Sequence, residues 1–153
     1  MNRIRNSAKA IIIHNSSLLA IYKTDPLGDY YILPGGGQHY SETLIQTVKR
    51  EVCEETTLEV NALKLRYVRD YISRNHEFAD TEKDAHQVEF MFECEIVSIG
   101  QPRVGATPDD NQIDVRWLPL DHLMDYRLYP LSLRPHLMGP AGDQQPIYLG
   151  DIN

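Results

Sequence analysis

The sequence is poor in several features that would place it in broad classes. It has two cysteines, Cys53 and Cys94, and no CxxC pair. The expectation is two reduced, buried thiols in a cytosolic protein, with a pairing between them left open. No long hydrophobic run occurs. The longest candidate, Ala10 to Ile13, is too short for a signal or a membrane span, and His14 interrupts it. The expectation is a cytoplasmic protein with no membrane partner. No basic patch or run stands out, and the net charge is −7, which argues against nucleic acid as the main partner. An anionic substrate would therefore need cations to bind. There is no internal repeat and no linker long enough to divide the 153 residues, so one domain over 1–153 is expected, with 138–153 as an extended tail.

What is present is concentrated in one stretch, Gly36 to Leu58, which follows Leu33-Pro34-Gly35. A glycine loop is succeeded by a predicted helix from about Glu42 to Thr56. Leu44, Ile45, Val48 and Val52 fall on one apolar stripe when placed at about 100° per residue. Glu51, Glu54 and Glu55 share one side at i, i+3 and i+4. Glu55 falls inside the edge of the stripe, Glu51 just outside it and Glu54 further out. A carboxylate at the edge of a core is costly unless it is paired or bound to a metal. Three such carboxylates repel one another unless something positive lies among them. That pattern points to a divalent cation held by oxygen ligands. Ser41 is the expected N-cap, with Glu42 favourably placed against the helix dipole. Arg50 and Glu42 form a candidate ion pair that would hold the loop against the helix.

These residues resemble the Nudix box, in which a glycine, five residues, a glutamate and seven residues precede Arg-Glu-aliphatic-x-Glu-Glu-x-Gly-aliphatic. Gly36, Glu42, Arg50, Glu51, Val52, Glu54, Glu55 and Leu58 fill their places, and Thr57 stands where the second glycine belongs. Glycine there would supply the left-handed residue that ends a helix. A β-branched residue costs about 1–2 kcal/mol in that conformation, so strain or another helix exit is expected.

The resemblance implies an α/β/α sandwich with a mixed central sheet. It also implies hydrolysis of a diphosphate that joins a nucleoside to another moiety. Mg²⁺, with Mn²⁺ as substitute, would be held by Glu51, Glu54, Glu55 and the carbonyl of Gly35. Gly36 and Glu42 would support the site. Arg50 would orient groups rather than move protons, since it stays charged. Glu51 and Glu54 are the box candidates for general base. Glu89, Asp109 and Asp110 are candidates outside the box, each expected to be a plain surface charge. A homodimer is an expectation at the level of the family.

Elsewhere the pattern predicts strands at 8–14, 17–23, 29–33, within 59–73, at 86–97 and at 113–118. Residues 86–97 alternate so that Val88, Phe90, Phe92, Cys94 and Ile96 would face the core and Glu89 and Met91 would not. A polar loop is expected at 74–85, another loop at 100–111, and short helices near 121–125 and 131–137. Tyr30, Tyr31, Tyr67 and Tyr71 could stack on a base, though aromatics in strands are more often core. Lys23, Arg66, Arg69 and Arg74 could meet phosphates, but each is expected to be solvated.

Markers of substrate subgroups are missing. No proline lies between Pro34 and Pro102, where ADP-ribose hydrolases of the family often have one, and Tyr67 and Tyr71 come too early for the dinucleoside-polyphosphate tyrosine. A nucleoside triphosphate, oxidised or not, and a nucleotide sugar such as ADP-ribose remain open as substrates. The rival from another class is a Nudix-fold binding or regulatory module without turnover. Such modules tend to lose box carboxylates, and this chain keeps them. The isoprenoid diphosphate isomerase branch would want a catalytic cysteine, for which neither Cys53 nor Cys94 is well placed.

Overall fold

Asn15 and Ser16 both adopt positive φ, as a two-residue hairpin turn matched to strand twist requires. They join β1 (Arg5–His14) to β2 (Ser17–Asp25) in an antiparallel pair. In this computed structural model, which describes residues 3–82, 84–139 and 145–153, that hairpin seeds a mixed sheet. The other strands are β3 (Gly28–Ile32), β4 (Gly35–Gly37), β5 (Val60–Ile72), β6 (His86–Ile96), β7 (Asp114–Pro119), β8 (Leu128–Tyr129) and β9 (Tyr148–Asp151). Their order is β8-β3-β2-β1-β6-β5-β9, with β4 also on β1 and β7 also on β2. β1 and β6 run parallel, as do β3 and β8, and β5 and β9. The expected mixed sheet is thus present.

Both faces of the sheet are covered. On one face, α1 (Leu44–Thr56) lays Val48 and Val52 against Ala8, Ala10, Ile12, Val60 and Phe92. On the other, the 3₁₀ turns at Leu120–Asp125 and Leu131–Leu133 and the short α2 (Arg134–Met138) bring Leu123, Leu133 and Leu137 onto Ile11, Leu18, Tyr67 and Met91. Two apolar layers about one sheet give the α/β/α arrangement.

This two-sided burial corrects the half-buried reading of residues 86–97. Phe92 and Cys94 pack toward α1, while Met91 packs toward α2 and Glu89 is also buried. A central strand covered on both faces has no solvent side for its alternate residues.

The helix start also differs from expectation. Thr43, not Ser41, is the N-cap. Its hydroxyl accepts from the Gln46 amide, and the Gln46 side chain accepts from the Thr43 amide. That reciprocal pair satisfies two helix-end donors, whereas Ser41 lies upstream at positive φ. Ile45, placed on the apolar stripe, is 49% exposed, since it sits in the first turn beyond the edge of the sheet packing. Thr57 ends α1 in the left-handed region at φ 63°, its amide donating to the Cys53 carbonyl at 3.0 Å. The strained exit is the one adopted. Cys53 is exposed rather than buried, Cys94 is buried, and both are free thiols. Within the 138–153 tail, residues 140–144 lie outside the described residues, and β9 is an ordered strand that pairs with β5.

Candidate active site

The loop after β3 turns through Pro34 into β4, whose residues pair with Ser7, Ala8 and Lys9 of β1. This places the glycine loop beside the third and fourth turns of α1. A Cβ built on Gly36 would fall 2.5–2.6 Å from the Glu51 carboxyl group. A side chain there would displace the Glu51 carboxyl group from the loop backbone it touches.

Arg50 is the hub of the helix side. Its Nε and Nη2 donate to the two Glu42 oxygens at 2.6 and 3.0 Å, a bidentate pair. Nη1 donates to Glu51 at 2.6 Å and to Glu54 at 3.2 Å, and Nη2 also donates to the Gly37 carbonyl at 3.1 Å. The expected Arg50–Glu42 pair is therefore present and ties loop to helix. The guanidinium hydrogen bond, helped by the His39 amide, holds the Glu42 carboxyl down at about 2. Arg50 is correspondingly held above its ordinary range, with Glu42 the largest cause.

Glu55 behaves differently. It is 2% exposed, and its carboxylate accepts from the Gly35 amide at 2.9 Å. Burial pushes its carboxyl up to about 8, against the attraction of Lys9 and the Gly35 hydrogen bond. Asp109 and Glu51 push in the same direction as burial. Lys9, on β1, donates from Nζ to the Gly35 carbonyl at 3.2 Å.

Glu51, Glu54 and Glu55 lie on neighbouring turns, but among the described residues no three His, Cys, Asp or Glu side chains converge as a ready-made cage. Arg50 lies between Glu51 and Glu54, and Glu55 is turned to the Gly35 amide. The donor set nonetheless fits a hard divalent ion. It consists of carboxylate and carbonyl oxygens, one carboxylate is buried at a cost, and a cationic group already sits on the Gly35 carbonyl.

Of these groups, Glu51, Lys9 and the glycines of the loop line a cleft of 710 Å³, while Arg50, Glu54 and Glu55 lie behind that lining. Glu51 and the three glycines form one end. Arg69, Glu89, Tyr71 and Asn153 form the floor, and Tyr30, Phe78 and Tyr129 an aromatic wall. Lys23 reaches across to Asp109 in a close ion pair.

Three expectations of solvated charge are overturned. Arg69 is 5% and Glu89 7% exposed, and they pair directly across β5 and β6 with Nε donating at 2.7 Å. Lys23 is also buried. Each charge is tolerated there because a partner of opposite sign faces it. Burial alone would raise the Glu89 carboxyl, but Arg69 and Lys9 outweigh it and leave it lowered. Asp110 and Arg74 are exposed, as expected, and Arg66 is half-buried near Glu93 at 3.9 Å. Tyr31, Tyr67 and Tyr71 are buried, and Tyr30 lines the cleft.

Sequence reasoning missed Lys9, Tyr129 and Phe78. Lys9 carried a readable signal, being a lone cation inside the apolar run Ala8-Lys9-Ala10-Ile11. The partners of the helix exit were also unseen. The Glu55 carbonyl accepts from the Gly105 amide and from Gln112 Nε2, and the Thr56 carbonyl accepts from the Arg103 amide. The 100–111 loop thus caps α1.

Comparison with known proteins agrees with the fold. Among solved structures, a MutT NUDIX hydrolase from Burkholderia pseudomallei is 23% identical, with 90% of this chain and 99% of that one covered and a TM-score of 0.66. A NUDIX hydrolase from Nitrosomonas europaea is 16% identical, with 88% of each chain covered and a TM-score of 0.69. An ADP-ribose pyrophosphatase from Streptococcus suis is 19% identical, with 96% and 98% covered and a TM-score of 0.62. No match was found among curated protein sequences. Among the described residues no helix is long and apolar enough to cross a membrane. The NUDIX domain model matches residues 4–136, and the chain therefore belongs to the Nudix family of pyrophosphohydrolases.

Proposed function

We propose that the protein hydrolyses the diphosphate of a nucleoside diphosphate derivative, with Mg²⁺ or Mn²⁺ held by Glu51, Glu54, Glu55 and the Gly35 carbonyl. The observation that carries this reading is the buried Glu55 carboxylate, fixed on the Gly35 amide at the end of a cleft that also holds Glu51. A bound divalent ion supplies charge neutralisation and lowers the pKa of its water.

The chain's own residues do the rest. Glu42 and Arg50 lock the loop to the helix and so fix where the Gly35 carbonyl lies. Arg50 also keeps Glu51 and Glu54 together against their mutual repulsion. The proton from the attacking water goes to a box glutamate. Glu54 is the more open of the two, at 34% side-chain exposure against 15% for Glu51. Glu89 is a poor acceptor because Arg69 occupies it, and Asp109 is held by Lys23. On the opposite side, Tyr30, Phe78 and Tyr129 offer ring surface to a base. Arg5 and Lys9 beside the glycine loop, and Lys23, offer positive charge to phosphates.

Two substrate classes fit this cleft: nucleoside triphosphates, oxidised ones included, and nucleotide sugars such as ADP-ribose. Similar structures include both a MutT protein and an ADP-ribose pyrophosphatase. The test is a nucleotide panel with Mg²⁺ or Mn²⁺ and product identification. Pyrophosphate or phosphate release from triphosphates selects the first class. AMP with a sugar phosphate selects the second. Tight nucleotide binding without turnover across the panel would instead make the protein a regulatory module.

A further inference from the structure

Lys9 has no place in the box, yet it sits at its centre. It occupies the middle of β1, opposite Gly35 in the β1–β4 register. Its ammonium donates to the Gly35 carbonyl at 3.2 Å, the same oxygen assigned above to a divalent ion. Glu55 closes the arrangement, since its carboxyl oxygen accepts from the Gly35 amide at 2.9 Å. Lys9 also attracts both buried carboxylates, Glu55 at the box end and, after Arg69, Glu89 on the cleft floor. Its flanking residues Ala8 and Ala10 are fully buried, so the strand itself cannot shift to relieve the charge. Only the flexible side chain can move.

The Gly35 carbonyl oxygen has two lone pairs, so geometry alone does not bar sharing. Repulsion disfavours it, because an ammonium within hydrogen-bond distance of that oxygen would face a doubly charged ion at close range. The four-carbon stem of lysine lets the ammonium swing away, and the cleft beyond it is where substrate phosphates would lie.

We propose that Lys9 is a resident counter-cation of the metal-free box, holding the Gly35 carbonyl until a divalent ion displaces it toward the substrate phosphates. This rests on the metal assignment proposed above. It makes Lys9 a positioning residue for the box and a competitor for the metal.

The test is Mn²⁺ binding without substrate, with free ion counted by electron paramagnetic resonance, for wild type, Lys9→Met and Lys9→Arg. Removal of the competitor should tighten Mn²⁺ binding by Lys9→Met by about tenfold or more, while Lys9→Arg stays at or weaker than wild type. Equal or weaker binding by folded Lys9→Met, with wild type binding normally, overturns the displacement and leaves the metal assignment standing. Failure of wild type to take up Mn²⁺ overturns the metal assignment itself and this inference with it. A second measurement does not depend on the Met variant folding. In ¹⁵N-lysine spectra of wild type, the side-chain resonance assigned through Lys9→Arg should move on Mg²⁺ addition. A resonance that stays fixed while Mg²⁺ binds overturns the proposal.

Discussion

Two arginine–glutamate systems border the cleft, one reaching it through Glu51 and the other lining it with both partners, and they solve different problems. At the box end, one guanidinium serves Glu42, Glu51 and Glu54, while Glu55 stays buried beside them. At the floor, Arg69 and Glu89 are matched one to one as an ion pair among the described residues, and Arg69 also donates to the Ile152 carbonyl and the Asn153 side chain. The floor pair is balanced and closed, so it asks for no further charge. The box end carries more negative charge than Arg50 can offset, so it is the end that calls for added cations. The same residue types therefore mark a structural pair in one place and a binding site in the other, and the ratio of charges separates them.

Breaking the box end should give the largest effect. Glu54→Gln or Glu55→Gln is expected to lower kcat of the Mg²⁺-dependent reaction by about 10²- to 10⁴-fold with circular dichroism unchanged. Near-wild-type turnover by a folded variant would remove the assignment of these carboxylates.

Breaking the floor should cost stability instead. Arg69→Met leaves the Glu89 carboxylate buried and is expected to destabilise by about 3–5 kcal/mol in urea unfolding. Adding Glu89→Leu to the same chain should restore much of that loss. If the double variant is no better than the single one, the pair is not the balanced unit described here.

The unbalanced end should also show in pH dependence. Glu55 is raised to about 8 in the folded metal-free protein, and an unfolded glutamate titrates near ~4.3. Between these values the folded state holds the extra proton, so stability falls as pH rises through the window. Urea midpoints of metal-free protein should decline from about pH 5 to about pH 8, and Glu55→Gln should flatten that decline. Arg69→Met should leave the Glu55 component in place.

The smallest change sharpens the comparison at the helix end. Thr57 sits in the left-handed region. Thr57→Gly should add up to about 1 kcal/mol of stability by relieving the β-branched side chain, with no loss of activity. A destabilised variant would show that Thr57 makes contacts worth more than the strain.

The same contrast explains what could be read in advance. The box end was legible because its residues follow one another along 23 positions, and helix spacing alone brings the three glutamates together. The floor was not, because Arg69 and Glu89 are 20 residues apart and meet only through the β5–β6 register. Lys23 and Asp109 are 86 residues apart and were each taken for solvated charges. The cap was decipherable but misread. Thr43 has Gln46 three residues on, the pattern of a reciprocal cap, while Ser41 has Leu44 there. β9 is four residues long and includes a glycine at positive φ, too little pattern to separate a strand from a tail. The alternation in β6 gives the right side for Glu89, but burial on both faces hid that this side is also covered.

The loop between β6 and β7 has a practical bearing on protein engineering. By composition it looks like the natural place to insert a tag or a reporter domain. Yet Arg103, Gly105 and Gln112 grip the last carbonyls of α1, and a Cβ on Gly105 would fall 2.0 Å from the Glu54 carbonyl oxygen. The same span carries Asp109 across to Lys23. Insertions between 103 and 112 should therefore uncouple both ends at once. The tip at Ile99 and Gly100 is fully open and is the better graft point.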